Sequence, residues 1–117
     1  MRVKINVDIY SVKVILTTTF KEFKKDYKGA KENSFFVTID CGGYVFVHVR
    51  DEWNDMHDHR FIQCLSHELN HAAMCILGGC DIKFNYNNQE ALCYLQDFMI
   101  AKSIKAINQN KKGKDNE

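Results

Sequence analysis

Several features that would place the chain in a common functional class are missing from its 117 residues. Sixteen basic and fifteen acidic side chains almost cancel, which argues against a strong non-specific nucleic-acid or membrane binder. No apolar run is long enough to cross a bilayer, and the N-terminus lacks the unbroken hydrophobic segment of a signal peptide. Proline, internal repeats and C-x-x-C pairs are also absent. We therefore expect a soluble, cytoplasmic protein that binds neither nucleic acid nor membranes.

The length and the cysteines limit the architecture. A chain of this size forms one domain, which we expect to span residues 1–109, followed by a disordered polar tail over residues 110–117. The number of cysteines is odd, so they cannot all pair, and four of the five lie in or beside apolar helical segments. Such positions suit reduced thiols that pack in the core as small hydrophobic side chains. The five are Cys41, Cys64, Cys75, Cys80 and Cys93.

Two pairs of short segments have the side-chain alternation of β-strands. Residues 3–9 alternate apolar with polar side chains, and the β-branched residues 12–16 are expected to pair back onto them. Residues 35–39 and Tyr44–Val49 flank a turn with two adjacent glycines, as in a hairpin. The sequence therefore predicts an α+β fold with a small mixed or antiparallel sheet of about four strands.

Three further segments have helical periodicity. Thr19 and Glu22 fit a capping box at the start of a short amphipathic helix. A longer helix is expected to begin near residue 55 and to end at the glycine pair 78–79, which would supply a left-handed C-terminal cap. A third helix is expected to open near Glu90.

The segment His67-Glu68-Leu69-Asn70-His71 lies inside the longer helix and has the pattern H-E-x-x-H. Imidazoles four residues apart leave the same face of an α-helix, one turn above each other, so both can bind one metal ion. Neutral imidazoles take tetrahedral positions on zinc at roughly 2.0–2.1 Å, and the intervening glutamate reaches the metal-bound water as a general base. The sequence therefore predicts His67 and His71 as Zn²⁺ ligands and Glu68 as the catalytic base.

The third ligand is expected from the helix that follows. Glu90 opens that helix, and a carboxylate from a neighbouring helix would complete three protein ligands and leave a fourth position open for water, as in catalytic zinc sites. A glutamate in the first turn of a helix is also favoured simply by the helix dipole. Asp81, Cys80 and a residue of another chain remain alternatives.

Two other side chains of the third helix are candidates for supporting roles. Tyr94 lies one turn after Glu90, and its hydroxyl could stabilise an oxyanion, although a buried aromatic residue is the simpler interpretation. Asp97 could accept the second N–H of a ligand histidine, or be an ordinary surface side chain. We retain Tyr94 as a candidate catalytic residue.

The H-E-x-x-H segment and the helix that begins Glu90-Ala91 resemble the glutamate-ligand zinc peptidases, or gluzincins. The similarity is greatest to their small members, the minigluzincins and the ImmA/IrrE-type peptidase domains often found in phage and mobile-element proteins, and it covers residues 45–100. Larger gluzincins carry an aspartate where this chain has Tyr94.

That resemblance implies a zincin-like fold, in which the sheet packs on the metal helix and on a C-terminal glutamate helix. It implies zinc held by the two histidines and Glu90, with Glu68 as the base. In zincins the strand before the metal helix is commonly a sheet edge that pairs with an extended substrate. By this resemblance, a peptide or protein substrate is expected along the strand Tyr44–Val49.

The function that these residues indicate is a small zinc-dependent metallohydrolase, most simply a cytoplasmic metallopeptidase. An alternative is a catalytically weak or inactive zincin-like phage or mobile-element protein that acts by binding a host partner. The small size and the missing aspartate favour that alternative. An open coordination position with a groove leading to it would distinguish the two.

Overall fold

Four strands and three helices make up the described part of the chain. The computed structural model describes the backbone of residues 1–50 and 59–115 and the side chains of residues 1–50 and 60–110. Two short 3-10 turns lie at Asp8–Tyr10 and Tyr86–Asn88. The predicted α+β class and four-stranded sheet are confirmed. In chain order the elements are β1 (Arg2–Val7), β2 (Val12–Thr17), α1 (Phe20–Asp26), β3 (Phe36–Cys41), β4 (Tyr44–Val49), α2 (His59–Gly79) and α3 (Gln89–Asp115).

The sheet is mixed, with the strand order β1-β2-β4-β3. β1 pairs antiparallel with β2, as β3 does with β4, while β2 and β4 are parallel. Strand β4 therefore has a neighbour on both sides, and the expectation that Tyr44–Val49 lies at an edge of the sheet is wrong. β4 occupies the interior because its alternate valines are buried, whereas β3, which carries Thr38 and Asp40, lies at the edge of the described sheet.

One face of the sheet packs against α2 and α3 and forms the core. Successive side chains of a strand point to opposite faces, so alternate residues of β1, β2 and β4 meet the helices. Helix α2 contributes the apolar stripe at spacings of three and four that the sequence predicts. The core residues are Ile5, Val7, Val14, Leu16, Val45, Val47 and Val49 of the sheet and Phe61, Leu65, Leu69, Ala72, Ala73, Ile76, Leu77, Leu95 and Met99 of the helices.

Helix α1 covers part of the opposite face. Thr19 caps the start of the helix as predicted, because the Glu22 amide donates to Thr19 Oγ1 at 3.3 Å. The Glu22 carboxylate accepts from Thr19 Oγ1 at 2.7 Å, in place of the backbone N–H bond of a full capping box. Phe23 stacks on the buried ring of His48, with ring centroids 4.3 Å apart. The His48 side chain therefore lies on the face of β4 that is turned away from α2.

Helix α2 ends in a different way from the one expected. The helix continues through Gly79, and the left-handed residue is Asp81 (φ 59°), so the predicted cap at the glycine pair is wrong. The Ile82 amide donates to the Leu77 carbonyl and the Asp81 amide donates to the Gly78 carbonyl, which closes the last turn in a Schellman arrangement. Aspartate tolerates this conformation better than most residues do. The expected start near residue 55 lies outside the described residues.

Helix α3 is longer than expected. It spans Gln89–Asp115, so helical backbone continues where the sequence predicts a disordered tail from residue 110. Lysine and glutamine have good helix propensity and allow a helix to continue after its apolar side chains end. None of the described helices is long and apolar enough to cross a membrane.

The cysteines are free thiols, but most of them are not in the core. Cys64 and Cys75 are half-buried in α2. Cys41, Cys80 and Cys93 are exposed, so the expectation that they pack as core residues is wrong. Their place at the sheet edge, after α2 and on the outer side of α3 could not be read from apolar neighbours alone.

Candidate metal centre

Helix α2 brings two imidazoles together on its outer surface. His67 and His71 are both exposed, and their Nε2 atoms lie 3.2 Å apart. Their rings meet edge to face, with centroids 4.8 Å apart and planes inclined by 71°. Because the helix repeats every 3.6 residues, these positions are neighbours one turn apart. The predicted pairing of the two side chains in space is therefore present.

The separation of the two nitrogens fits a shared ion. Imidazole nitrogens at roughly 2.0–2.1 Å from a tetrahedral zinc ion would lie about 3.3 Å from each other. The observed 3.2 Å agrees with that distance. Two neutral imidazoles 3.2 Å apart also accommodate one shared hydrogen, so the distance alone does not require a metal.

Glu68 follows His67 on α2 and is buried, with 4 % of its surface exposed. One of its carboxylate oxygens and the two imidazole nitrogens all lie within 4.8 Å of one another. Oε1 is 3.4 Å from the hydroxyl of Thr38 on β3. Oε2 is fully buried and has no hydrogen-bond partner among the described residues. A buried carboxylate oxygen without a donor is costly, so the site favours a cation or a hydrogen-bond donor beside it.

The donor atoms of the cluster are of the kinds that bind zinc. Two imidazoles and one nearby carboxylate are the nitrogen and oxygen donors that zinc prefers. One carboxylate oxygen of Glu68 lies within 4.8 Å of both imidazole nitrogens, so the carboxylate is near the position that such an ion would take. The residues present therefore fit a divalent metal ion.

The edge strand β3 is joined to the site through Thr38. The Thr38 hydroxyl donates to the Glu68 carbonyl at 3.0 Å, in addition to its longer contact with the carboxylate. The Arg50 N–H donates to the Phe35 carbonyl. Because hydrogen-bonded positions alternate along an antiparallel pair of strands, residues 37 and 39 are the ones whose N–H and C=O groups bond to β4. The N–H and C=O groups of Thr38 and Asp40 then point away from β4. No described strand lies on that side.

Glu90 is not part of the donor cluster. It is exposed in the first turn of α3, and among the described residues the cluster contains only His67, Glu68 and His71. Helix α3 contacts α2 here through Gln96, whose Nε2 donates to the Ser66 carbonyl at 3.2 Å. At about 100° per residue, Glu90 lies about 120° around α3 from Gln96.

The third ligand therefore stays a prediction. The alternatives Asp81 and Cys80 are exposed after the end of α2 and are also outside the cluster. The segment that precedes α2 lies outside the described residues.

Tyr94 and the imidazoles are not brought together. Tyr94 is 69 % exposed and lines an apolar groove between α3 and the end of β1, to which no α2 residue contributes. Its position is about 160° around α3 from Gln96, which explains this placement. Asp97 is exposed as well, and its hydrogen bond to a ligand histidine stays a prediction.

Sequence reasoning missed two residues beside the site. Thr38 and Asp40 both face α2, because they alternate with residues that face the opposite side of β3. The two-residue alternation along β3 and β4 was the available signal, since Thr38 pairs with the buried Val47. This alternation does not locate Thr38 and Asp40 beside α2 unless the strand order is known.

Comparisons with protein-family models, with characterised proteins and with solved structures found no match to this chain. The gluzincin resemblance of the H-E-x-x-H segment therefore stands on that motif alone. The geometry around His67, Glu68 and His71 is an independent reason to consider metal chemistry.

Proposed function

We propose that the protein is a small zinc-dependent metallohydrolase that cleaves peptide bonds, with a zincin-like arrangement of its site. The observation that carries this proposal is the pair of imidazole nitrogens 3.2 Å apart above the buried carboxylate of Glu68. A structural zinc site would normally close all four positions with protein ligands, whereas here both imidazoles are exposed. The arrangement supports an ion that remains accessible to solvent and substrate.

A bound zinc ion would polarise the scissile carbonyl and lower the pKa of a water molecule beside it. Glu68 would accept a proton from the attacking water molecule while the oxygen of that water bonds to the carbonyl carbon. Glu68 then gives the proton to the leaving amine as the carbon–nitrogen bond breaks. The position of Glu68 suits this role, because one of its carboxylate oxygens lies within 4.8 Å of both imidazole nitrogens. Thr38 holds the glutamate in place through the carbonyl and the carboxylate.

The substrate is proposed to lie along β3 and not along β4. The outward N–H and C=O groups of Thr38 and Asp40 can pair with an extended peptide, as in other cases of strand addition. Thr38 contacts Glu68 directly, so a peptide paired at this position would pass beside the base. The proposal thus keeps the expected mode of binding and moves it to the strand that is at the edge.

The alternative is an inactive zincin-like protein that binds a host partner. The observation that favours it is the position of Glu90 outside the donor cluster, since two imidazoles alone hold zinc weakly. Under this alternative the same edge strand would bind a protein without cleaving it. Zinc binding and hydrolysis must therefore be measured separately.

The test compares wild type with Glu68→Gln after both are loaded with zinc. Each is incubated with a complex mixture of peptides, and new termini are identified by mass spectrometry. Wild type is expected to cleave, while Glu68→Gln keeps its zinc and loses at least about 100-fold in rate. Glu32→Gln, in an exposed loop, is the matched control and should cleave like wild type. Full turnover by Glu68→Gln would rule out the proposed mechanism, and no turnover by zinc-loaded wild type would favour the alternative.

A further inference from the structure

A groove of about 470 Å³ lies where the β3–β4 hairpin meets the C-terminal end of α2. Its walls come from the start of β2, from the hairpin and from the last two turns of α2. Polar and apolar surfaces both line it. The residues that matter for its chemistry are Tyr10, Ser11, Asp40, Cys75, Ile76 and Cys80.

The groove is electronegative. Asp40 is the only charged side chain among the lining residues, and its carboxylate has no ion-pair partner in the described part of the chain. The C-terminal end of α2, at Gly79, carries the negative end of the helix dipole into the same wall. Lys13 does not neutralise this charge, because its Nζ lies over the Tyr44 ring on the opposite face of the sheet.

The thiol of Cys75 lies in the same electronegative environment. Burial raises the pKa of Cys75, and the negative charge of Asp40 raises it further. The carboxylate therefore acts electrostatically on the side of the groove that α2 forms. A cation placed there would meet both the carboxylate and the helix terminus.

The groove continues the proposed path of the substrate. Asp40 follows Thr38 by two residues on the same face of β3, an advance of about 6.6 Å. Cys75 follows His71 by four residues on α2, an advance of about 6 Å. Thr38 contacts Glu68 at one end, and Asp40 and Cys75 share the groove at the other. An extended peptide that passes the imidazoles would reach the groove within about two residues.

We propose that this groove binds the lysine or arginine side chain of a peptide that lies along β3, and so gives the site a preference for basic residues near the scissile bond. The inference rests on the proposed peptide binding at β3. The long aliphatic stem of either side chain would pack on Ile76, while its charged end meets Asp40. Tyr10 and Ser11 supply hydroxyl acceptors on the facing wall.

The experiment measures binding, so that it does not depend on hydrolysis. Zinc-loaded Glu68→Gln is titrated against fluorescent six-residue alanine peptides that carry lysine, arginine, norleucine or glutamate at each position in turn. Norleucine keeps the aliphatic stem and removes the charge. The best lysine or arginine peptide is expected to bind at least about 10-fold more tightly than its norleucine counterpart. The ratio should fall as the salt concentration rises.

Asp40 is then changed in the same background. Asp40→Asn should bring the ratio of lysine to norleucine affinity close to one, while Asp40→Glu should preserve most of it. Glu32→Gln removes an exposed carboxylate in the loop between α1 and β3 and should leave the ratio unchanged. Equal binding of the lysine and norleucine peptides, a preference that survives Asp40→Asn, or no binding of any peptide would overturn the inference.

Hydrolysis by wild type separates this inference from the proposed function. Binding that prefers basic peptides without any cleavage would keep the groove assignment and reject the enzyme. Cleavage with no preference for basic residues would keep the enzyme and reject the groove assignment.

Discussion

The two faces of the sheet treat their charged groups differently. On the face covered by α1, the N-terminal ammonium group is bound by Glu22 at 2.7 Å, and Arg2 donates to the Asp26 carboxylate at 2.8 Å. On the face covered by α2, buried Glu68 keeps one oxygen without a partner among the described residues, and the two exposed imidazoles contact each other. On the first face opposite charges form ion pairs. On the second face, polar groups lie where a ligand could supply a further partner.

This difference separates interactions that stabilise the fold from groups that serve a ligand. A paired carboxylate at the surface contributes a little to stability, up to about 1 kcal/mol. A buried carboxylate with an unmet oxygen costs stability, and such a cost persists where function requires it. We therefore expect the two regions to respond in opposite ways to the same substitution.

The largest expected effect is on zinc affinity. Because His67 and His71 supply the only two imidazoles of the cluster, His67→Ala should weaken zinc binding by at least about 100-fold. The dissociation constant is measured by competition with a chromophoric chelator, and the bound zinc is counted after gel filtration. Gln63→Ala, also exposed on α2, is the control and should bind zinc like wild type. Equal affinities of all three proteins would remove the metal from the proposal.

The centre of this site could be predicted from the sequence because it is local. Residues 67, 68 and 71 belong to one helix, and the 3.6-residue repeat alone places both histidines on one face. The N-cap at Thr19 is predictable for the same reason. Each depends on a handful of consecutive residues and on no other element.

The predictions that are wrong depend on contacts between elements that are distant in the sequence. Strand order follows from which strands pair after the chain has folded, so Tyr44–Val49 was placed at the edge although it pairs with β2 and β3. The spacing from His71 to Glu90 fixes the length of the connection but not the rotation of α3 about its own axis. That rotation is set by burial of Leu95 and Met99, and it turns Tyr94 toward the end of β1. Thr38 lies beside the site only because β3 packs against α2 in the folded protein.

A direct test of the two faces compares Glu68→Gln with Glu22→Gln in metal-free protein. Glu68→Gln removes the charge of a buried carboxylate whose Oε2 has no partner among the described residues, so it should raise the free energy of unfolding by about 1 kcal/mol. Glu22→Gln breaks an ion pair and should lower it by up to about 1 kcal/mol. Urea unfolding at pH 7 with a chelator present measures both. Changes of the same sign would show that the two carboxylates do not differ in the way described.

The smallest expected effect is the pH dependence of the Glu22 interaction. Burial alone would raise the pKa of Glu22, but hydrogen bonds from the N-terminal ammonium group and from Thr19 outweigh it, so the pKa is lowered. A carboxyl group whose pKa is lower in the folded state stabilises the fold above its unfolded pKa of about 4.3 and loses that contribution as the pH falls through the folded value. The stability difference between wild type and Glu22→Gln should therefore be constant from pH 6 to pH 7 and shrink below about pH 4.3. Urea unfolding across this range measures it, with Glu32→Gln as the exposed control. A difference that grows on acidification would mean that the ammonium group and Glu22 do not form a stabilising pair.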